Sequence, residues 1–207
     1  DGDRLIAVDE KGQEISGDQI LIICAQKLKE QGRLKNDLLV STVMSNLGLR
    51  MACKKYGIKH HTSRVGDRYV LEDMFRLGAI LGGEEAGHTI FLEHHATGDG
   101  IITAIQLIAA MVEAGKPLSE LSKMMETYPQ KLINIEVRSK PEISSLSNVM
   151  EVIKQVESEL RGEGRVLVRY SGTQNMCRVM VEGPTDEMTQ RYCQQIAEEI
   201  RKTIGCS

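Results

Sequence analysis

The chain has 207 residues, 41% of them hydrophobic and 27% charged, with a net charge of −3, which suits one or two globular domains with real cores. Basic and acidic residues are interspersed, so we expect neither nucleic acid nor a membrane as a partner. The five cysteines are scattered without a C-x-x-C pair, and we find neither a signal peptide nor an apolar stretch long enough to span a bilayer, so we expect reduced thiols and a cytoplasmic protein.

Helices and short apolar strands alternate along the first 128 residues, which predicts an α/β layered domain. Capping residues and glycines mark where the predicted helices begin and end. In chain order we predict a helix capped by Asp18 and running to residue 28, a strand at 38–44, helices at 47–56 and 67–77, strands at 79–81 and 89–92, a long apolar helix between Asp99 and Gly115, and a short helix at 118–125.

The pattern changes near Pro129, where we place a domain boundary. Beyond it we predict strands at 132–137, 166–170 and 178–182, and helices at 146–160 and 185–204. Two helices with a few strands in about 75 residues fit a compact α+β domain.

The first loop with chemical interest is the opening Asp1-Gly2-Asp3-Arg4. Carboxylates at alternate positions around a glycine suit a hard cation such as magnesium, although a solvated acidic turn has the same composition. The turn opens the chain with no strand before it, which we interpret as the point where a longer protein has been divided.

A second loop, Gly82 to His88, lies between two predicted strands and contains three glycines. Glu84 and His88 supply an acceptor and a donor for sugar hydroxyls, and a glycine-rich hairpin with exposed polar residues is the alternative. The pairs His60-His61 and His94-His95 do not predict a metal site, because adjacent strand residues point to opposite faces.

The third loop joins the last two predicted strands and reads Arg169-Tyr170-Ser171-Gly172-Thr173, followed by Arg178. Hydroxyls, successive backbone N–H groups and two arginines together suit a phosphate. A hairpin turn flanked by two solvated arginines is the other interpretation.

These three loops, in this order, resemble the α-D-phosphohexomutase superfamily, which has a metal loop Asp-x-Asp-x-Asp-Arg, a sugar loop Gly-Glu-x-x-Gly-His and a phosphate loop Arg-x-Ser-Gly-Thr. The segments Val65 to Val70, Thr97 to Gly100 and Arg178 to Gly183 resemble its phosphoglucosamine mutase branch. The resemblance implies a mixed-sheet α/β domain followed by a smaller α+β domain like the TATA-box-binding protein. It implies that residues 1–15 end a second domain, 16–130 form the sugar-binding domain and 131–207 the phosphate-binding domain.

The resemblance also assigns roles to residues of this sequence. It implies metal ligation by Asp1 and Asp3, and a catalytic arginine near the reacting phosphate at Arg4. The implied substrate contacts are Gly66, Asp67, Arg68, Glu84 and His88. The implied phosphate contacts are Arg169, Ser171, Gly172, Thr173 and Arg178.

Two positions depart from the family pattern. Ala86 stands where a serine usually contacts the sugar, and Gln174-Asn175 replaces Glu-Pro after the phosphate loop. The first change removes a hydroxyl, and the second removes a charge and a rigid φ while leaving the phosphate-binding groups in place. Both leave the identity of the sugar open.

The activity implied is interconversion of glucosamine 6-phosphate and glucosamine 1-phosphate through a bisphosphate and an active-site phosphoserine, with Mg²⁺, for UDP-N-acetylglucosamine synthesis. The resemblance places the phosphoserine outside these 207 residues, so we expect the polypeptide alone to be inactive and to bind Mg²⁺ weakly or not at all. A phosphomannomutase or phosphoglucomutase, and a non-catalytic module that binds phosphosugars, are the alternatives.

Overall fold

The chain forms two compact units in this computed structural model, which describes residues 1–206. The first unit is Asp1–Thr127, and the second begins at Tyr128. Strands of the first unit are β1 (Ala7–Val8), β2 (Glu14–Ile15), β3 (Leu38–Thr42), β4 (Lys59–Ser63), β5 (Leu81–Gly83) and β6 (Thr89–Phe91). Its helices are α1 (Gly17–Glu30), α2 (Leu47–Lys55), α3 (Asp67–Leu77), α4 (Gly100–Ala114) and α5 (Leu118–Leu121), with 3₁₀ turns at Lys35–Asp37 and Ser122–Met124.

A four-stranded mixed sheet organises the first unit, in the order β4-β3-β5-β6. Strand β3 pairs in parallel with β4 and β5, whereas β6 runs antiparallel to β5. Apolar residues of α1, α2 and α4 form the larger core on one face, and those of α3 form a smaller core on the other. The predicted mixed-sheet α/β class is therefore confirmed. Because β3, β4 and β5 are parallel, the loops that follow them leave from the same edge of the sheet.

Local signals at two helices produce the predicted structure. Helix α3 spans Asp67–Leu77 as predicted and ends at Gly78, whose φ of 68° is a left-handed conformation that suits glycine. Helix α4 begins after Asp99, whose carboxylate accepts hydrogen bonds from the backbone N–H groups of Ile101 and Ile102 at 2.8 and 2.9 Å. It ends at Gly115 in the same left-handed region.

The predicted cap of α1 is wrong. Ser16 caps this helix in a reciprocal capping box with Gln19, so the helix begins one residue earlier than Asp18. Asp18 is fully buried, and its carboxylate accepts a hydrogen bond of 2.7 Å from the backbone N–H of Asn46 at the start of α2. The carboxylate therefore satisfies the donor of another helix.

Three short strands were absent from the predicted order. Strand β4 forms an outer strand of the large sheet, and β1 and β2 form a separate two-stranded antiparallel sheet. Within residues 1–206, no individual helix meets the length and hydropathy required of a membrane span, although α4 taken together with the helical segment Leu118–Met124, bent from it by 87°, does.

The second unit contains a three-stranded antiparallel sheet and two long helices. Its elements are β7 (Gln130–Glu136), α6 (Ser147–Leu160), β8 (Arg165–Tyr170), β9 (Met176–Glu182) and α7 (Asp186–Ile204), with a 3₁₀ turn at Ile143–Ser145. The strand order is β7-β9-β8. Alternate residues of β9, namely Cys177, Val179 and Val181, are buried in one core with residues of α6 and α7. The predicted α+β class is confirmed.

Candidate functional site

The first candidate site lies where the loops after β4 and β5 leave the sheet. Here the opening segment runs beside the sugar-loop motif: Arg4 forms an antiparallel bridge with His88, and Leu5 N–H donates to the Gly87 carbonyl at 3.1 Å. The N–H of Gly100 donates to the carbonyl of Gly2 at 2.9 Å. The acidic turn is thus held against both the sugar-loop motif and the beginning of α4.

An open cavity of about 370 Å³ results from this arrangement. The lining residues come from four separate stretches of sequence, and they are Asp1, Gly2, Asp3, Asp67, His88, Thr97, Gly98 and Asp99. The fold therefore brings the predicted metal residues together with two of the predicted substrate residues. Four aspartates and no lysine or arginine line the cavity, so its electrostatic character is anionic unless a cation is bound.

His88 is the buried polar group of this cavity. Its side chain is almost fully buried, and its Nε2 lies 3.9 Å from a carboxylate oxygen of Asp67. Its Nδ1 is buried and has no hydrogen-bond partner within residues 1–206. Gly98 lies against the imidazole so closely that a Cβ there would overlap the ring. The ring is fixed by packing, and Nε2 is the nitrogen that faces the cavity-lining carboxylate.

Glu84 begins the tight turn that carries the sugar-loop motif. The turn is closed by bonds of 2.8 Å from Glu84 N–H to the His88 carbonyl and 3.0 Å from Gly87 N–H to the Glu84 carbonyl. The Glu84 carboxylate accepts a bond of 3.0 Å from the N–H of Gly66, whose φ of 124° is accessible chiefly to glycine. Glu84 therefore links the two predicted substrate loops.

Besides Gly66 and Glu84, three predicted or singled-out residues do not line this cavity. Arg68 is exposed and its guanidinium pairs with Glu72 one helical turn along, at 2.8 Å, which raises the pKa of Arg68. Arg4 is exposed and contributes its backbone to the bridge with His88. Ala86 lines a separate cavity of about 160 Å³ beside β2.

The predicted metal residues supply two carboxylates at the cavity wall. Mg²⁺ prefers six oxygen ligands in near-octahedral geometry. No group of three or more His, Cys, Asp or Glu side chains suited to a metal ion occurs in the described part of the chain. Asp1 and Asp3 by themselves do not make a complete magnesium site.

The second candidate site lies in the other unit, between β8 and β9. Arg169 and Arg178 occupy directly opposite positions of the antiparallel pair, so their side chains are on the same face. Desolvation by burial, and then the neighbouring Arg178 charge, lower the pKa of Arg169. The Nε of Arg178 is buried and has no hydrogen-bond partner within residues 1–206. Two partly desolvated guanidinium groups side by side are an arrangement that an anion stabilises.

The loop between these arginines differs in one respect from the predicted nest of backbone N–H groups. The N–H of Ser171 donates to the Met176 carbonyl at 2.9 Å, so it closes the hairpin and does not face a ligand. The Ser171 hydroxyl accepts a bond of 3.3 Å from Gln174 N–H. Gly172 and Thr173 are exposed. Their N–H groups and the threonine hydroxyl are loop donors that an anion can use, as is the O–H of Ser171.

The two histidine pairs lie in different kinds of secondary structure. His60 and His61 lie on β4 with different partners, His60 Nε2 at 2.7 Å from the Ser41 hydroxyl and His61 Nε2 at 3.1 Å from the Asp73 carboxylate. The argument from opposite strand faces is wrong for His94 and His95, which follow β6 in an exposed turn.

Sequence reasoning missed two contributors. Thr97 to Asp99 line the first cavity, and the predicted helix cap at Asp99 was the signal that placed this turn at a helix start. Lys140 donates from Nζ to the Ser171 carbonyl at 2.9 Å and so adds a third cation to the arginine loop. No spacing or motif in the sequence pointed to Lys140.

Comparison with known proteins establishes the class. Residues 16–128 match the family profile described as phosphoglucomutase/phosphomannomutase, alpha/beta/alpha domain III, and residues 132–199 match its C-terminal domain. The chain belongs to this phosphoglucomutase/phosphomannomutase family.

Among individual proteins, the chain is 72% identical to the phosphoglucosamine mutase of Syntrophobacter fumaroxidans over 205 residues, which is 99% of this chain and 46% of that enzyme. It is 58% identical to the phosphoglucosamine mutase of Syntrophus aciditrophicus over the same shares. Its fold is similar to that of Aspergillus fumigatus N-acetylphosphoglucosamine mutase, solved with GlcNAc-6P and magnesium, with a TM-score of 0.80 at 18% identity over 97% of this chain and 50% of that one. The chain thus spans about half the length of the relatives it matches.

Proposed function

We propose that these residues belong to a phosphoglucosamine mutase, which interconverts glucosamine 6-phosphate and glucosamine 1-phosphate through a bisphosphorylated sugar and an active-site phosphoserine. The observation that carries the proposal is the anionic cavity lined by Asp67, His88 and three further aspartates. At neutral pH the 2-amino group of glucosamine is largely protonated, and carboxylates attract such a cation. The 72% identity to a phosphoglucosamine mutase supports the same substrate.

In this proposal each unit recognises a chemical group of its own. In the first unit, Nε2 of His88 and the Asp67 carboxylate bind and orient the amino sugar, while Glu84 holds the Gly66 and Arg68 loop beside them. In the second unit, the Arg169 and Arg178 pair binds a phosphate group with charge-assisted bonds, and the Gly172 and Thr173 donors complete its coordination. Arg4 neutralises charge near the reacting phosphate, and Asp1 and Asp3 contribute two ligands to a metal whose other ligands lie elsewhere in the longer protein.

Substrate recognition is tested in a full-length chimaera, in which these 207 residues follow the first half of the Syntrophobacter fumaroxidans enzyme. We expect glucosamine 6-phosphate to be the preferred substrate in a panel with the glucose and mannose phosphates. Replacing Asp67 by asparagine should lower kcat/KM for glucosamine 6-phosphate by about tenfold, because a carboxylate–ammonium contact is lost, and should change glucose 6-phosphate turnover less. Glu120→Gln, an exposed change on α5 outside both candidate sites, is the control.

The 207 residues alone are proposed to be inactive, since their relatives are about twice as long. Purified polypeptide given glucosamine 6-phosphate, a hexose bisphosphate and Mg²⁺ should show no turnover, and calorimetry should show no tight Mg²⁺ binding. Turnover by this polypeptide would contradict the proposal that the phosphoserine lies elsewhere.

One alternative keeps the fold and changes the sugar. The family description names glucose and mannose enzymes, and Ala86 removes a hydroxyl from the sugar-loop motif. Equal or better turnover of mannose 6-phosphate by the chimaera would favour that alternative. Phosphosugar binding by the chimaera without any turnover would favour a non-catalytic module.

A further inference from the structure

Helix α4 is apolar on both of its faces. Its inner face contributes Leu107 and Ala110 to the core. Its outer face carries four large aliphatic side chains that are 58–75% exposed, at spacings of four, three and four residues, namely Ile101, Ile105, Ile108 and Val112. A surface helix normally places polar residues on its outer side, whereas a helix that is apolar all round is normally buried.

Strand β1 has the same unusual character. It lies in the apolar run Leu5-Ile6-Ala7-Val8, in which Leu5 and Ala7 pack against the core. The alternate residues Ile6 and Val8 are 70% and 58% exposed. A continuous apolar run is typical of a strand covered on both faces, whereas a half-exposed strand alternates apolar with polar residues. In residues 1–206, β1 pairs only with β2.

The exposed face of β1 and the exposed stripe of α4 adjoin each other through Val8 and Ile108. A largely apolar groove of about 290 Å³ runs between the two elements. Its lining includes Val8 from β1, Leu107, Ile108 and Met111 from α4, and the acidic residues Asp9 and Glu10 that follow β1. We call Ile6, Val8, Ile101, Ile105, Ile108 and Val112 the outer apolar surface. A contiguous patch of this kind on one side of a domain marks an interaction site.

We propose that the outer apolar surface docks against the part of the same protein that corresponds to the first half of its relatives. Those relatives are about twice as long as this chain, and its second unit matches the C-terminal domain of the family, so the additional length precedes these residues. The domain III match begins only at Ser16, which leaves β1 and β2 outside it. β1 is thus the element that joins this unit to the preceding part, and the α4 stripe lies next to it.

Two other occupants fit the observations less well. A helix needs about 20 apolar residues to cross a bilayer, and α4 has 15 residues, interrupted by Gln106 and Glu113. A second copy of the chain would cover the exposed apolar residues of α4. It would not explain the continuous apolar run Leu5 to Val8, which is typical of a strand covered on both faces. The proposal does not rest on the substrate or the activity proposed above.

Cysteine labelling tests the proposal. Four of the five native thiols are buried, and burial raises the pKa of each to about 11 or 12; they are those of Cys24, Cys53, Cys177 and Cys193. These thiols should therefore react slowly. With Cys206 changed to serine, Ile105→Cys introduces a reactive thiol on the outer apolar surface. Phe75→Cys is the matched control, because Phe75 is also exposed, at 64%, on α3 across the sheet. Labelling is followed with a maleimide, peptide by peptide, by mass spectrometry.

We expect the Ile105→Cys thiol to label at least about tenfold more slowly in the full-length chimaera than in the 207-residue polypeptide, and the Phe75→Cys thiol to label equally fast in both. As a second measurement, Ile105→Glu should lower the Tm of the chimaera by about 3 °C or more and leave that of the polypeptide nearly unchanged, because only the chimaera buries the new charge.

Three results would overturn the proposal. The first is equal labelling of the Ile105→Cys thiol in both proteins. The second is slow labelling in the polypeptide that becomes fast on dilution, which would assign the surface to a second copy. The third is protection of that thiol only by phosphatidylcholine–phosphatidylglycerol vesicles, which would assign it to a membrane. If the chimaera does not unfold cooperatively, the Syntrophobacter enzyme is labelled at the aligned positions.

Discussion

Arg169 and Arg178 show how a single pair of residues can favour binding over stability. Like charges directly opposite each other in an antiparallel pair are destabilising. Burial and the Arg178 charge already lower the pKa of Arg169, so the repulsion is present in the folded unit. An anion between the two guanidinium groups offsets it.

Replacing Arg178 by alanine should therefore weaken binding without weakening the fold. We expect affinity for glucosamine 6-phosphate to fall about tenfold or more, because one charge-assisted contact contributes ~1.5–3 kcal/mol. Lysine should restore only part of the affinity, because it keeps the charge but loses the bidentate geometry of arginine. NMR titration of the wild type and of the two variants measures the affinity, and thermal unfolding measures stability.

Arg201→Ala, an exposed change on α7, is the control for net charge and should bind as the wild type does. If Arg178→Ala and Arg169→Ala also bind like the wild type, the arginines only flank a turn. The absence of chemical shift changes at Ser171 to Thr173 in the wild type would lead to the same conclusion.

Gly98 is the second residue whose role depends on close packing. A Cβ at this position would overlap the His88 ring, which is held in a buried environment. Gly98→Ala should move the ring or strain the turn, at a cost of ~1–3 kcal/mol in unfolding free energy. We expect a lower Tm for the 207-residue polypeptide and a change in the His88 imidazole NMR signals. Gly115→Ala, where a Cβ meets nothing within 4 Å, should shift stability through backbone strain but leave the His88 signals in place.

At the scale of elements, the carboxylate of Asp73 links α3 to the edge strand β4. Asp73 accepts hydrogen bonds from Arg76 at 2.6 Å and from His61 of β4 at 3.1 Å. The bond from Arg76, with smaller contributions from Ser63 and His61, lowers the pKa of Asp73 from 3.8 to about 2.

A lowered carboxyl pKa stabilises the folded state above the unfolded pKa, and this contribution disappears as pH falls through the folded value. We expect Asp73 to support stability fully above about pH 4 and to lose that effect as the pH approaches about 2. In urea unfolding across this range, Asp73→Asn should be less stable than the wild type at the upper end and should converge with it at the lower end. Glu120→Gln, an exposed change on α5, should leave the slope of the wild type unaltered.

The elements also show what the sequence could and could not predict. Where local chemistry decides the structure, prediction was accurate, as for Gly78 after α3 and for Asp99 and Gly115 around α4. The spacing of Ser16 and Gln19 fits a capping box, and the prediction of Asp18 as the cap of α1 missed it. Strand β4 carries charged and histidine residues and gains its order from parallel pairing with β3, a long-range contact that leaves no local pattern.

The same distinction applies to the candidate site. Asp67, Glu84 and His88 were identified from motifs, and the structure groups them with the Asp1 to Arg4 turn. Two other features depend on contacts between segments far apart in sequence. Gly98 packs against the His88 ring, and Lys140 donates a hydrogen bond to the Ser171 carbonyl. Such contacts follow from the tertiary fold, and no spacing encodes them.

At the scale of the whole molecule, each unit has a core of its own. The core of the second unit consists of residues from Ile133 to Ile204, with no member from the first unit. Residues 128–207 expressed alone should therefore fold, with cooperative thermal unfolding and phosphate-induced NMR shifts at Ser171 to Thr173. Non-cooperative unfolding of this polypeptide would show that its stability depends on the first unit.

Helix α4 gives the first unit a mechanical property. Its leading turn is bonded to Gly2 and forms part of the cavity wall at Asp99, while its outer side belongs to the outer apolar surface. With 15 residues it is a stiff rod about 22 Å long. If a contact at Ile108 or Val112 tilts α4 slightly, we expect Gly98, next to the other end of the helix, to move against the His88 ring. A helix anchored in this way would carry a displacement from one end to the other while its internal hydrogen bonds stay formed.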